Sequence, residues 1–370
     1  MDKLRLGVVS AIGSGLATMA GTGQIARLAR HLQGYAEQFD AVYFSWLTWQ
    51  TELPHYRGLA AHTALMCPWR PVDGALNALL RPLREWRWWH NLDLVRSMNL
   101  LGSIPAMMAR IAYRVPFVVS FGADYQAIAR IHGHGRRHLA KWRWLERAAC
   151  ATAAAVMVSN RTYAERLRRA HPTARIVFHP NWVDLERFTP LPPVTSPARM
   201  SLPLMVLFVG RLVEVKNLIR LAHAADGLTV GDRPVHLYCV GAGPLADRLR
   251  GLGVEVVGPI PWGDLPGVYR MADAFALPSL TEGHPKALTE AMASGLPCVT
   301  SIQTAKDLGF PGGLVGCNPE SVPSIRDALT LALTTPALGA LARAHAEAHW
   351  DLKALMPREL RLLEAAAKHS

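Results

Sequence analysis

Two carboxylates, Glu282 and Glu290, stand eight residues apart in the segment Pro278-Ser279-Leu280-Thr281-Glu282-Gly283-His284-Pro285-Lys286-Ala287-Leu288-Thr289-Glu290-Ala291-Met292-Ala293-Ser294-Gly295. Pro285 suits the first turn of a helix, and Gly295 with Pro297 suits its end. Glu282 then falls in the loop before that helix and Glu290 on its second turn. Eight helical residues span about 12 Å, enough to reach two ends of one extended ligand. The helix start between them offers backbone N–H groups and partial positive charge to an anion such as a diphosphate. Gly283, His284, Pro285 and Lys286 flank that start. Carboxylates for hydroxyls, with an anion site between them, describe a pocket for a nucleotide sugar. A lone pair at this spacing also fits a solvated surface helix, so the neighbouring motifs decide.

Those motifs run in order along the chain. Val206-Leu207-Phe208-Val209-Gly210-Arg211-Leu212 leads to Lys216-Asn217, followed by Val240-Gly241-Ala242-Gly243-Pro244 and Val257-Gly258-Pro259-Ile260-Pro261. Earlier comes Pro180-Asn181-Trp182-Val183-Asp184-Leu185-Glu186-Arg187-Phe188-Thr189-Pro190. With the Glu282–Glu290 segment, the set resembles the signature of retaining, family-four glycosyltransferases (glycosyl transferases group 1). The resemblance covers nearly the whole length. It implies the GT-B fold: α/β, two Rossmann-like doubly wound parallel-sheet domains facing across a cleft.

The resemblance assigns roles residue by residue. A nucleotide sugar's leaving group gains charge as the glycosidic bond breaks, and preorganised cations there stabilise the transition state. Arg211 and Lys216 match that function, and Glu282 matches the glutamate that contacts the donor sugar. Glu290 matches the glutamate that accepts from the ribose hydroxyls. Gly241, Gly243 and Ile260 belong to the nucleotide-facing loops. Gly21-Thr22-Gly23 resembles the first-domain glycine loop, although an ordinary helix-entry turn would look the same. Lys286 is placed to pair with Glu282 or Glu290 at i, i+4, either as part of the site or as a structural salt bridge. Ala246 occupies the third glycine position of G-x-G-x-x-G, which weakens a dehydrogenase reading. The family works without a metal, and no metal-ligand set is apparent: His132, His134 and His138 cluster beside Arg136 and Arg137 with no completing carboxylates. No cofactor is expected beyond the nucleotide-sugar co-substrate, UDP- or GDP-linked.

Three departures qualify the match. Phe121 stands in Ser120-Phe121-Gly122-Ala123-Asp124 where the family commonly has histidine, and it cannot form that side chain's hydrogen bonds. Asp124 still matches and remains an acceptor-side candidate. Trp182 replaces a small glycine. Residues 301–307, Ser-Ile-Gln-Thr-Ala-Lys-Asp, lack the family's paired glycines.

The elements that must position these residues are legible as alternating patterns. In the second half, apolar runs at 204–209, 235–240, 254–257, 274–277 and 297–300 predict strands. Helical spacing at 218–225, 244–249, 265–271 and 286–294 predicts the helices between them. Such alternation implies a parallel, doubly wound sheet that binds ligands beyond its carboxyl strand ends. The first half predicts strands at 4–9, 41–44, 93–95, 117–120, 155–159 and 176–178. A glycine-rich loop (Gly13, Gly15, Gly21, Gly23) leads there into a helix at 24–32. The proline-rich stretch 190–197 reads as the linker. The expected division is 1–190 (acceptor side), 198–345 (nucleotide sugar) and 346–370, a C-terminal helix packing back towards the first domain.

Half of the 370 residues are hydrophobic, and five scattered cysteines form no C-x-x-C. They read as buried thiols in a reducing cytosol. No apolar run reaches the length of a spanning helix, and no secretory h-region is apparent at the N-terminus. The net charge of +12 is uneven, because residues 1–190 hold 24 of the 40 Lys/Arg but 12 of the 28 Asp/Glu. Within that half, residues 81–90 and 138–147 interleave Trp with Arg. An anionic membrane surface, nucleic acid or simple core packing each accounts for such segments. No nucleic-acid module is present, and the membrane surface is the expected partner. The whole reads as a cytoplasmic protein, peripheral at the inner face of the cell membrane. It would move a hexose to a lipid-linked or polysaccharide acceptor in cell-surface glycan biosynthesis. The alternative is a catalytically silent GT-B scaffold or glycan-binding protein.

Overall fold

A computed structural model describes residues 3–10, 15–21, 23–46, 49–56, 59, 63–68, 74–131, 133–190 and 202–368. The chain divides into two compact units, Met1–Pro180 with Met356–Ser370, and Asn181–Leu355. The boundary at Pro180 falls ten residues before the expected 190. Val183 pairs with Asp351 and Phe188 stacks on Trp262 and Tyr269, so this stretch belongs to the second unit's core. The linker expected at 190–197 lies, beyond Pro190, outside the described residues. The C-terminal stretch 346–370 is not one helix: Ala337–His349 and Leu352–Lys368 meet at Trp350 and Asp351.

Among the described residues, the first unit holds seven parallel strands: β1 (Leu4–Val9), β2 (Phe39–Phe44), β3 (Thr63–Met66), β4 (Leu94–Ser97), β5 (Phe117–Phe121), β6 (Ala155–Val158) and β7 (Ile176–Phe178). Their order is β3-β2-β1-β4-β5-β6-β7. The central strands are nearly all buried, as a parallel sheet covered on both faces requires. The second unit holds β8 (Leu204–Val209), β9 (Thr229–Val230), β10 (Arg233–Val240), β11 (Glu255–Val257), β12 (Ala274–Leu277), β13 (Cys298–Ser301) and β14 (Leu314–Cys317). Their order is β11-β10-β8-β12-β13-β14, all parallel, with β9 antiparallel to β10. Strand order reverses at β1/β4 and at β8/β12, the places where doubly wound sheets bind ligands. All five cysteines are buried and free, and burial pushes the Cys239 thiol up to about 12 and Cys317 to about 11. Such thiols are inert.

The last helix is anchored in the first unit by a buried ion pair. Glu359 Oε1 accepts from Arg96 Nε (2.8 Å) on β4 and from Tyr35 OH (2.6 Å), while His31 Nε2 lies 3.3 Å from Oε2. Arg96 also donates to Ser97 O and to Ser120 Oγ on β5. Burial alone would raise the Glu359 carboxyl, but Arg96 and His31 beside it outweigh this and hold it well below the usual range. The stability gained is therefore complete above the unfolded carboxyl value and is lost as pH falls towards the folded one. Removing one partner of such a pair costs about 3–5 kcal/mol. Glu359→Gln should lower the urea midpoint at neutral pH, with the gap to the parent narrowing below about pH 4.3. A gap that stays constant with pH would remove the ion pair as its cause.

Candidate functional site

Lys216 and Glu282 are brought together because β8 and β12 are neighbours. Phe275 is in register with Leu207, so the loops leaving the two strands run side by side. A 3-10 turn, Glu214–Lys216, follows β8, and Lys216 Nζ lies 2.5 Å from Glu282 Oε1 in a largely buried pair. The next residue places the turn. Asn217 adopts φ +60°, a left-handed conformation that asparagine tolerates better than most. Its Nδ2 donates to Pro278 O (3.1 Å) and Pro319 O (2.6 Å), tying the β8 loop to those after β12 and β14. Leu280 N donates to Val215 O, completing the clasp. Arg211 is exposed on the same β8 loop. Glu282 thus has Lys216 as an ion-pair partner, and Lys286, expected to pair with Glu282 or Glu290, opens the helix Lys286–Ala293 and is exposed. Pro285 sits at the cap rather than within the first turn, and this helix start carries no side-chain cap. Gly283 and His284 lead into it, with His284 buried edge-on against Trp350.

Gly241 and Gly243 serve the neighbouring loop. A Cβ on Gly241 (φ +140°) would lie 1.9 Å from Gly210 O, and one on Gly243 would lie 2.3 Å from Leu212 O. Leu212 N donates to Ala242 O and Leu245 N to Leu212 O, so the glycines let two backbones interlock. Ile260, half-buried, lies three residues beyond β11.

Glu290 is buried on its helix, and both oxygens accept hydrogen bonds: Oε1 from Trp262 Nε1 (3.0 Å), Oε2 from Tyr269 OH (3.1 Å). A second lone pair on each oxygen can still accept from a ligand. Phe188 and Trp182 pack against Trp262, so the tryptophan in the glycine position of the Asn-Trp-Val-Asp motif fills core. Arg343 Nη1 donates to Ala293 O and Phe188 O, 2.6 Å each, holding the far end of the Glu290 helix. Sequence reasoning assigned nothing to Trp262, Tyr269 or Arg343; no local pattern marks them.

First-unit candidates are engaged internally. Asp124 Oδ1 caps the helix Tyr125–Ile131 through Gln126 N and Ala127 N, and Oδ2 lies 3.3 Å from Arg166. Phe121 is buried against Tyr163. The glycine-rich loop is partly helical: Leu16–Gly21 is a short helix ending at Gly21, and Gly23 (φ +71°) turns the chain into the helix Ile25–Ala36. Leu16 N and Ala17 N donate to the buried Glu52 carboxylate. Gly13, Thr22 and His132 lie outside the described residues. No cluster of three or more potential metal ligands occurs among the described residues.

These contacts separate two glycines of similar appearance in the sequence. Gly241→Ala meets both a carbonyl and an unfavourable φ, so it should lower the melting temperature markedly, with a backbone cost of about 1–3 kcal/mol. Gly258→Ala, with nothing within 4 Å of its Cβ, should not. Equal melting temperatures for the two variants would overturn this account.

Known proteins place this geometry. Residues 203–333 match the family model described as "Glycosyl transferases group 1", and residues 23–187 match "Glycosyltransferase Family 4". TuaC of Bacillus subtilis (strain 168), named for teichuronic acid biosynthesis, is 32% identical over 36% of this chain and 34% of its own length. An Escherichia coli UDP-Gal:alpha-D-GlcNAc-diphosphoundecaprenol alpha-1,3-galactosyltransferase is 34% identical over 33% of this chain and 35% of its own. The chain thus matches about a third of the length of these relatives. The structure of Anabaena HepE in complex with UDP and glucose superposes with TM-score 0.74 at 17% identity, covering 98% of this chain and 100% of that one. Two tandem parallel-sheet units, matched in order by these models and superposed along nearly their whole length, put the chain among the group 1 (family 4) glycosyltransferases, with the GT-B fold.

Proposed function

We propose that the chain transfers a hexose, with retention, from a UDP- or GDP-sugar to a lipid-linked or polysaccharide acceptor in cell-surface glycan synthesis. The observation that carries this reading is the Lys216–Glu282 pair where the strand order reverses at β8/β12, four residues before the helix Lys286–Ala293. An ammonium has three N–H donors, so one contact with Glu282 leaves capacity for a diphosphate. Arg211 adds a second, exposed cation on the same loop. Charge developing on the departing diphosphate is stabilised by both, without calling on a divalent ion. Glu282 accepts from donor-sugar hydroxyls, and Glu290, steadied by Trp262 and Tyr269, accepts from the ribose. Gly283, His284, Pro285, Lys286 and the Ile260 loop complete the donor side. The anomeric C–O bond to the diphosphate breaks, and a bond to the acceptor oxygen forms on the same face. The acceptor's proton passes to the departing phosphate oxygen, so no protein nucleophile is required. Asp124, held by Arg166, is assigned to the acceptor, with Gly21 and Gly23 on the first unit's donor-facing loop. The same proposal has the reaction at the cytoplasmic face of the membrane, where a lipid-linked acceptor would be met.

Thermal shift against UDP, GDP, ADP and dTDP tests the donor site. A hundredfold excess over Kd stabilises by about 2.7 kcal/mol, and one nucleotide should stand out. Silence with all four would favour the non-catalytic scaffold. Lys216→Ala should slow turnover roughly 10²–10³-fold, with Arg211→Ala acting in the same direction on kcat. Product anomeric configuration, read by proton NMR, checks retention; an inverted product would refute the same-face mechanism.

A further inference from the structure

Glu290 meets two protein donors, and they are unequal. Tyr269 OH has one proton and two acceptors within reach, Glu290 Oε2 and Ala287 O, at 3.1 Å each. The indole of Trp262 is a donor only, and its N–H goes to Glu290 Oε1 (3.0 Å) inside the core. Trp262 therefore decides where that oxygen sits. A glutamate side chain turns about several single bonds, and a committed donor on one oxygen stops that rotation.

The indole is itself immobilised. Trp262 is 1% exposed. The Trp182 ring meets it edge-on at 6.4 Å and 86°, Phe188 packs at 5.7 Å, and the Arg187 guanidinium lies over it at 4.7 Å. Edge-to-face aromatic pairs and a guanidinium over an indole face are both attractive geometries. The three neighbours come from one short stretch, whose backbone is tied on both sides of Trp182. Asn181 Nδ2 donates to His284 O (2.6 Å), Val183 N to Trp350 O (2.8 Å), and Leu352 N to Val183 O (3.0 Å). Asp184 O then accepts from Phe188 N (2.9 Å), curling the chain so that Arg187 and Phe188 reach the same indole. The small glycine that Trp182 replaces would leave that edge of Trp262 without its ring contact.

We infer that Trp262, braced by Trp182, is a positioning residue that sets the Glu290 carboxylate for the two neighbouring hydroxyls of a ribose, so that the site takes ribonucleotide donors and rejects deoxyribonucleotide ones. The inference rests on the ribose role given to Glu290 above and names what makes that role selective. A 2′,3′-diol carries two O–H donors side by side, matching two carboxylate oxygens held in fixed positions. A carboxylate offers about four acceptor sites, so its two protein donors orient it without exhausting it. A nucleotide lacking the hydroxyls leaves a buried carboxylate short of donors, the kind of loss that discriminates strongly. A carboxylate able to turn would recover part of that loss, and selectivity would fall.

The test is calorimetric titration of the full chain with UDP and GDP and with their 2′,3′-dideoxy counterparts, which keep base and diphosphate. The parent should bind one ribonucleotide about tenfold more tightly, or better, than its dideoxy form, as hydrogen bonds to a charged group allow. Trp262→Phe keeps an aromatic ring and deletes the N–H. It should bind the dideoxy form as the parent does, while the preference for ribose falls to about threefold or less. Trp182→Leu keeps the N–H but removes its brace; it should lower the preference in the same direction, and it carries the test if Trp262→Phe does not fold. A tryptophan that serves only the core gives a different pattern: a lower melting temperature and equal weakening of both nucleotides, with the preference intact. That pattern, or a variant that discriminates like the parent, overturns the inference and leaves the ribose role of Glu290 standing. A parent that binds both forms alike removes that role and this inference with it, and a parent that binds none of the four removes the donor site.

Discussion

The candidate site depends on adjacency between two parallel strand ends that are 66 residues apart at the charges they deliver. An ion pair as sheltered as Lys216–Glu282 must recover the desolvation of both groups, and it does so only if neither can drift. Asn217 supplies that restraint, with its left-handed backbone setting the turn and its amide clasping the loops after β12 and β14. Remove the clasp and Lys216 is a flexible surface cation; keep it and the cation stays beside a helix start. Binding of an anion is then a competition. Under the proposed function, an anion would share Lys216 with Glu282 rather than displace a shell of water, which would lower the reorganisation needed as charge develops.

Much of this architecture was legible, and the reason lies in its parallel sheets. Strands buried on both faces read as unbroken apolar runs, and β1, β7, β8 and β12 have the bounds expected of them. Three strands went unread: β3 and β14, with four residues each, and β9, with two. A two-residue strand shows no apolar run, and Gly316 interrupts that of β14. The domain boundary was misplaced for a different reason. Proline-rich composition marks a connecting stretch, whereas the boundary follows packing, and Phe188 packs with the second unit.

The site was legible as residues but not as relations. Lys216 and Glu282 were each identified, but not as a pair, and Lys286 was offered as a partner of Glu282 or Glu290. Glu290 was expected to accept from ribose hydroxyls, and nothing pointed to its protein donors. Its actual partners, Trp262 and Tyr269, lie 28 and 21 residues away. Gly241 and Gly243 were read as members of a nucleotide-facing loop, and the sequence did not show that the backbone approaching them is that of Gly210 and Leu212. In each case the sequence shows that a close approach or a charge is required, and the tertiary fold chooses what meets it.

The two units use one topology in opposite ways, and this difference argues for where the anion goes. In the first unit the carboxyl ends of the strands are filled by the protein itself. Glu52 takes the N–H groups of the helix after β1, and Gly15 is glycine because a Cβ would lie 2.6 Å from that carboxylate. Arg81 takes the carbonyls of Ser45 and Met66 beyond β2 and β3, and Trp46 takes that of Ser10 beyond β1. The corresponding end of the second sheet presents an exposed arginine, a lysine with spare donors and a helix start without a side-chain cap. A negative ligand approaching the first unit's reversal meets the Glu52 carboxylate, which already takes the N–H donors there. At the second, Glu282 is paired with Lys216 and Arg211 adds an exposed cation, which is why the proposed diphosphate site lies beyond β8 and β12.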